Sequence, residues 1–194
     1  MTVRQSILAI LAVGPCYGYQ LRAEFDRRTG SARPLNVGQI YTTLERLERD
    51  GLVRRGEMDA EGHLYWEITV DGRAAVTRWF AEPVEPVPGV RDELAVKVAM
   101  ASTLPGVEAT AVVAAQRTAT AARIDAIGRS VFEGETGGAE ELAWGLLRDG
   151  LLLDAETELR WLDRCDEVLV ARRPAPLPLS TTKPRRGRPA KSAV

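Results

Sequence analysis

Apolar positions in the first eighty residues change rhythm several times, and each change marks an element. Val3, Ile7, Ile10 and Leu11 follow the i, i+4, i+7, i+8 spacing of an amphipathic helix, which Gly14-Pro15 stops. Tyr17, Leu21 and Phe25 line one face of a second helix, with Gly30 placed as its C′ glycine. Asn36 offers an N-cap, and Gln39 three residues on makes it a variant capping box for a third helix over 37–50. Ile40, Leu44 and Leu47 are that helix's buried stripe, closed by Asp50-Gly51. Residues 52–58 and 63–68 flank the turn Asp59-Ala60-Glu61-Gly62. In the second run Leu64, Trp66 and Ile68 alternate with His63, Tyr65 and Glu67, the period of a half-buried strand. Thr69 then caps a fourth helix carrying Ala75, Val76 and Trp79.

Beyond residue 80 the pattern lengthens. Residues 81–89 hold three prolines and end in glycine, which predicts a stiff linker. Two long helices follow, over 106–132 (Val107, Val113, Ile124, Ile127, Val131) and 139–173. The second carries Leu142, Leu146, Leu153, Leu159, Leu162, Cys165 and Leu169 at spacings of three, four and seven, with Trp144 and Trp161 adding apolar area. Such a seam serves either an antiparallel pair within the chain or a dimer. A dimer is the favoured expectation, with Leu142, Leu146, Leu153, Trp161, Leu162 and Leu169 in the interface. Residues 174–194 are proline-, Ser/Thr- and cation-rich and are expected to be disordered. The fold class is mainly α with a small β-hairpin. Residues 1–80 form an N-terminal winged helix-turn-helix, 81–89 a linker, 90–173 a long-helix dimerisation domain and 174–194 a basic tail.

Composition narrows the chemistry. At 194 residues, 45% hydrophobic and 27% charged, the chain is globular in character. No apolar run approaches the ~20 residues of a membrane helix, and the run at 7–13 reads as a core helix, so the cytoplasm is the default compartment. Cys16 and Cys165 form no CxxC pair and His63 is the lone histidine, so neither a thiolate zinc site nor a multi-histidine site is expected, and no cofactor is called for. There is no Gly-rich phosphate loop, no Gly-x-Ser-x-Gly elbow and no histidine partnered with a nucleophile in a known motif, which argues against an enzyme. Charge is uneven: residues 1–80 carry a net +1, residues 81–173 a net −7, and residues 174–194 five cations and no acid. All but three of the 26 cations are arginine, the residue suited to bidentate phosphate or guanine contacts, although codon bias explains much of that preference.

Three short helices, a hairpin and a closing helix describe a winged helix-turn-helix, whose third helix enters the major groove of double-stranded DNA. Its outward face carries Gln39, Thr42, Thr43 and Arg46, groups able to meet base edges and phosphates. Arg22, Arg27 and Arg28 near the end of the second helix are expected at phosphate oxygens. The competing reading is a winged helix that docks on protein, for which the face is too polar. Trp79, Phe80 and Trp144 either line a pocket for a small-molecule effector or are ordinary core. In the tail, Arg186-Gly187-Arg188-Pro189 resembles the core of an AT-hook, in which Arg186 and Arg188 extend along a narrow minor groove. A solvated basic tail is the alternative.

The residues also resemble the PadR family of bacterial transcription regulators. The likeness starts at Ile7-Leu8-Ala9-Ile10-Leu11 and runs through Gly14-Pro15-Cys16-Tyr17-Gly18-Tyr19-Gln20-Leu21 and Asn36-Val37-Gly38-Gln39-Ile40-Tyr41. It continues along Leu44-Glu45-Arg46-Leu47-Glu48-Arg49-Asp50-Gly51-Leu52-Val53, then Tyr65-Trp66-Glu67-Ile68-Thr69 and Gly72-Arg73. Arg91-Asp92-Glu93-Leu94 with Lys97, and Leu159-Arg160-Trp161-Leu162, look like the family's C-terminal region. The resemblance implies a homodimeric, sequence-specific DNA-binding protein, usually a repressor, released by a small molecule or another signal. It also implies that Asn36 and Tyr41 lie with the third helix's polar face at the DNA. The chain departs from the family at its hairpin turn, which is acidic (Glu57, Asp59, Glu61) where members often carry cations, and at Val37, where proline is usual.

Overall fold

The computed structural model describes residues 2–31, 35–85, 92–134, 136–173 and 175–182. The elements are α1 (Thr2–Leu11), α2 (Gly18–Thr29), α3 (Val37–Arg49), β1 (Val53–Met58), β2 (Leu64–Ile68), α4 (Val70–Ala81), α5 (Asp92–Ala101), α6 (Ala109–Arg129) and α7 (Ala139–Arg172). The order is that of a winged helix-turn-helix followed by long helices. The chain forms two compact units. One holds α1 to α5 with β1, β2 and residues 175–182; the other holds residues 81–85, α6 and α7.

In the first unit, Ile7, Leu8, Ile10 and Leu11 of α1, Leu21 of α2 and Ile40, Leu44 and Leu47 of α3 are fully buried. Each such side chain contributes roughly 1.5–3 kcal/mol by leaving water. Gly30 ends α2 in the left-handed conformation (φ 67°), a geometry that penalises any residue with a Cβ. β1 and β2 pair antiparallel, Val53 with Ile68 and Arg55 with Trp66, with a bulge between Arg55 and Met58. Cys16 extends this sheet by one rung, exchanging backbone hydrogen bonds with Trp66 at 3.2 and 2.9 Å. Thr69 caps α4 by accepting from the Gly72 amide at 3.1 Å. Gly72 is required there for a different reason: a Cβ on it would stand 2.2 Å from the Leu52 carbonyl oxygen and 2.6 Å from Ile68.

Compactness divides the chain differently from its proline-rich linker. α5, expected to open the dimerisation domain, packs with α1 and α2 and buries Leu94, Val98, Met100 and Ala101. Its apolar face completes the first core instead of starting a second. Residues 175–182, expected to be disordered, are also part of the first unit. Proline and serine do not prevent order where backbone groups find partners, and these residues find several, described below. Residues 183–194, including the AT-hook-like stretch with Arg186 and Arg188, lie outside the described residues.

In the second unit α6 and α7 pair. α6 is shorter than its apolar pattern suggests, because Gly106 is left-handed (φ 74°) before it and Ser130 is extended after it. A partly buried polar cluster joins the two helices. Glu158 of α7 accepts from Gln116 at 3.2 Å and from Thr120, and pairs with Arg123 at 3.2 Å. Gln116 also exchanges hydrogen bonds with the backbone of Val84 at 2.7 and 3.1 Å.

Candidate nucleic-acid interface

The third helix is set by local chemistry at its start. The Asn36 side chain accepts from the Gly38 amide at 2.9 Å, and the Gln39 side chain accepts from the Asn36 amide at 3.1 Å, forming a capping box. With the apolar stripe turned inward, Asn36, Gln39, Tyr41, Thr42, Glu45, Arg46 and Arg49 are exposed along the other side. Thr43 is half-buried, and its hydroxyl donates to the Gln39 carbonyl at 2.7 Å. The box has a chemical consequence. The Gln39 oxygen that would accept from an adenine amino group already serves the Asn36 amide, so Gln39 presents mainly its two N–H donors. Thr42 and Arg46 present their polar groups outward.

Tyr41 lies at the junction of α2 and α3. A Cβ on Gly18 would come within 2.6 Å of its ring, so the glycine at the first residue of α2 is what lets the tyrosine lie there. The ring remains 39% exposed, a polar-tipped side chain beside the start of α2.

Each of the three arginines of α2 lies within ion-pair distance of an acid. Arg28 corrects the expectation outright: it is 3% exposed. Its guanidinium donates to the Thr103 carbonyl at 2.8 Å and the Leu177 carbonyl at 2.9 Å, and lies 3.2 Å from the buried Glu24 carboxylate. Burial pushes its pKa down, against the pull of Glu24. Arg27 donates to Glu24 and to the Pro178 carbonyl. Arg22 is half-buried, 3.8 Å from Asp26.

The wing holds cations that a view confined to its acidic turn overlooks. Arg54 pairs with Glu67 at 2.7 Å, and Arg55 pairs with Glu48 of α3 at 3.0 Å while lying over the Trp66 ring. The consecutive Arg54-Arg55 at the start of β1 was the available signal. At the tip, Asp59 accepts from the amides of His63 and Glu61 and from the His63 ring. Those hydrogen bonds, His63's first, lower its pKa to about 2.

Of the expected interface leucines, Leu142, Leu146 and Leu153 share one side of α7 and are 64%, 66% and 60% exposed. Leu147, Leu151 and Trp161 are exposed as well. Leu162 is corrected: it is fully buried within its own unit, where its turn of α7 faces inward with Ala155 and Glu158, and has no surface to offer a second chain. Leu169 is half-buried. The two tryptophans expected around an effector belong to different units. Trp79 is buried against Phe80 and Lys97, and Trp144 lies beside Phe132 and Arg148. Among the described residues no helix is long and apolar enough to cross a membrane.

Comparison with known proteins divides the chain at its proline-rich linker, not at the boundary of the compact units. Residues 7–78 match the model of the Transcriptional regulator PadR-like family, and residues 90–170 match Virulence activator alpha C-term. A probable transcriptional regulator of Mycobacterium tuberculosis is 34% identical over 89 residues, which is 44% of this chain and 47% of that protein, so the match spans about half of the relative. Among solved structures, Bacillus subtilis PadR in complex with operator DNA is similar at 19% identity and a TM-score of 0.41, covering 87% of this chain and 99% of that one. The Vibrio cholerae virulence activator AphA is similar at 22% identity and a TM-score of 0.36, covering 87% and 98%. Residues 7–78, which carry the capped third helix and the wing, are thus similar to the PadR-like family of transcriptional regulators.

Proposed function

We propose that the chain is a sequence-specific DNA-binding regulator of transcription that acts as a homodimer, with α3 of each copy in the major groove. The observation that carries this reading is the outward side of α3, where Thr42 and Arg46 are exposed on a helix whose start is locked by a capping box. A rigid helix with short polar groups and a cation reads base edges and phosphates, with little area for docking on protein. Tyr41 and Asn36 flank that surface, while Arg22 of α2 is half-buried and 3.8 Å from Asp26. The exposed leucines 142, 146 and 153 support a dimer through α7, which would set two recognition helices about one helical turn of DNA apart. Bound across a promoter, such a dimer represses by occupancy until an unidentified signal, such as a small molecule, releases it.

The test is a mobility shift and footprint on DNA from upstream of the chain's own gene. The expected footprint is two-fold symmetric. Thr42→Glu sets a carboxylate against phosphates and base acceptors, and it abolishes the shift while the circular dichroism spectrum is unchanged. Retained operator affinity in that variant would show that α3 is not the reading helix.

A further inference from the structure

α6 and α7 lie between Thr103 and Leu177 in sequence, and in the first unit those two residues are side by side. The Leu177 amide donates to the Thr103 carbonyl at 2.8 Å. Arg28 of α2 grips both: its guanidinium donates to the Thr103 carbonyl at 2.8 Å and to the Leu177 carbonyl at 2.9 Å. The strap of residues 175–182 is then held by its backbone. The Pro178 carbonyl accepts from Arg27, and the Ser180 amide donates to the Glu24 carboxylate at 2.8 Å. Leu179 touches the loop before α2, where a Cβ on Gly14 would stand 3.1 Å from it. None of residues 175–182 is buried, whereas Glu24 and Arg28 are 1% and 3% exposed. A core segment is held by apolar side chains that cannot leave without exposing them to water. Here the gripping groups belong to the seat, and the seat stays satisfied when it empties. Arg28 keeps Thr103 and, at 3.2 Å, Glu24; Glu24 keeps Arg27 at 2.7 Å. Opening of the strap is therefore a local event, less costly than unfolding the unit.

We propose that Glu24 and Arg28 form a latch for the strap, and that the seating of the strap and the DNA-binding form of the helix-turn-helix share one equilibrium. The proposal rests on the DNA-binding reading above. Seated, the strap ties α2 to the turn that ends α5. α2 carries Gly18, against which Tyr41 of α3 rests, so a braced α2 presents α3 preorganised for a duplex. Released, α2 loses the brace, and the base of the excursion through α6 and α7 opens at Leu177. The end of α7 leads into the strap, so a displacement there reaches α3 through Arg28. Such coupling is reciprocal: the factor that release takes from DNA affinity is the factor by which bound DNA tightens the seating of the strap.

The experiment uses the full chain and two labelled duplexes, one from the footprinted upstream DNA and one of mixed sequence. Ser180→Pro removes the N–H that Glu24 holds. Leu179→Asp, which replaces the contact with Gly14 by a carboxylate one residue from Glu24's partner, is a second release variant. Amide exchange is read at Leu177 for the strap and at Leu8 for the core. Both variants are expected to speed Leu177 exchange about 10-fold or more and to leave Leu8 unchanged. Both are expected to weaken binding to the upstream duplex about 5- to 10-fold, with the slope of log K against log salt unchanged. In wild type, saturating upstream duplex is expected to slow Leu177 exchange by the factor that release takes from affinity, and the mixed-sequence duplex to slow it less. The same ratios are expected in a chain ending at Thr182, which keeps the strap and lacks the cations beyond it. Equal speeding at Leu8 would make the strap part of the core and overturn the latch. Faster Leu177 exchange with wild-type affinity for the upstream duplex would overturn the coupling to α3. An effect that vanishes in the chain ending at Thr182, or a flattened salt slope, would assign it to the tail's charge and overturn the coupling as well. Wild-type Leu177 exchange in both variants would overturn the contacts with Glu24 and Gly14 as what seats the strap. Binding of neither duplex by wild type would sink the DNA-binding reading, and the coupling with it, while faster Leu177 exchange in the variants would still uphold the latch.

Discussion

Arg28→Met separates the buried role of this arginine from the phosphate contact that its place on α2 suggests. Methionine fills much of the same volume but supplies no donor. It leaves the Thr103 and Leu177 carbonyls without the guanidinium, and among the described residues it leaves the buried Glu24 carboxylate paired with the more exposed Arg27 alone. Removing one member of a buried ion pair costs about 3–5 kcal/mol, most of it from the charge left behind. A domain of this size holds about 5–15 kcal/mol in total, so the first unit would become marginal. Amide exchange in α1 and α3 reads that unit on its own, and protection of the Leu8 and Leu44 amides should fall by about two to four orders of magnitude. Adding Glu24→Gln should recover part of the loss, because a neutral amide needs no counter-charge. A loss below about 1 kcal/mol would refute the buried placement. So would weakened DNA binding with exchange unchanged, since that pattern belongs to a guanidinium that faces phosphate.

Two further expectations concern titratable groups. Burial, with Glu24 adding to it, raises the Cys16 thiol to about 12, so it stays protonated and unreactive at neutral and mildly alkaline pH. A disulfide exchange reagent at pH 8 should consume at most one thiol in the native protein, the half-exposed Cys165, and two after denaturation; rapid modification of both would contradict the burial of Cys16. At the wing, Asp59 has a folded pKa of about 2 against 3.8 unperturbed. A depressed carboxylate stabilises the turn fully above the unperturbed value, and that contribution fades as pH falls from about 4 to about 2. Carbon NMR of the Asp59 carboxyl should give a midpoint near 2, and Asp59→Ala should speed exchange of the His63 and Glu61 amides at neutral pH. A midpoint near 4 would mean that those amides are not held.

What could be read in the chain is what is local. The capping box of α3 needs only Asn36 and Gln39, the alternation of β2 needs five residues, and the C′ glycine of α2 needs one. What could not be read depends on partners far away in sequence. Arg28 meets Glu24 four residues back, but its other acceptors are 75 and 149 residues on, and nothing in the spacing of α2 announces them. α5 carries an ordinary amphipathic pattern, and a pattern does not say which core it will join. Leu162 and Leu142 occur in the same leucine-rich seam, yet one is sealed within its unit and the other is open. Heptad-like spacing identifies a sticky helix and leaves its partner unspecified. Gly18 and Gly72 stood out as marks of the family; their cause, the close approach of Tyr41 and of the Leu52 carbonyl, is purely tertiary.

The same distinction governs how charge should be counted. The window from Arg22 to Arg55 holds eight arginines against five acids, a composition that by itself suggests an anionic partner. In the fold, Arg22, Arg27, Arg28, Arg49, Arg54 and Arg55 all lie within ion-pair distance of an acid, and Arg28 is out of reach of solvent altogether. A cation paired in place contributes little long-range field, because its partner cancels it beyond a Debye length or less. Residues 183–191 carry five cations and no acid in sequence. Affinity for duplex DNA should therefore depend on the tail more strongly than its share of the basic residues suggests. Specificity should stay with Thr42 and Arg46 on α3. Mutating the two regions should then separate the quantities: tail changes alter the salt slope equally on every sequence, and α3 changes alter the ratio between sequences.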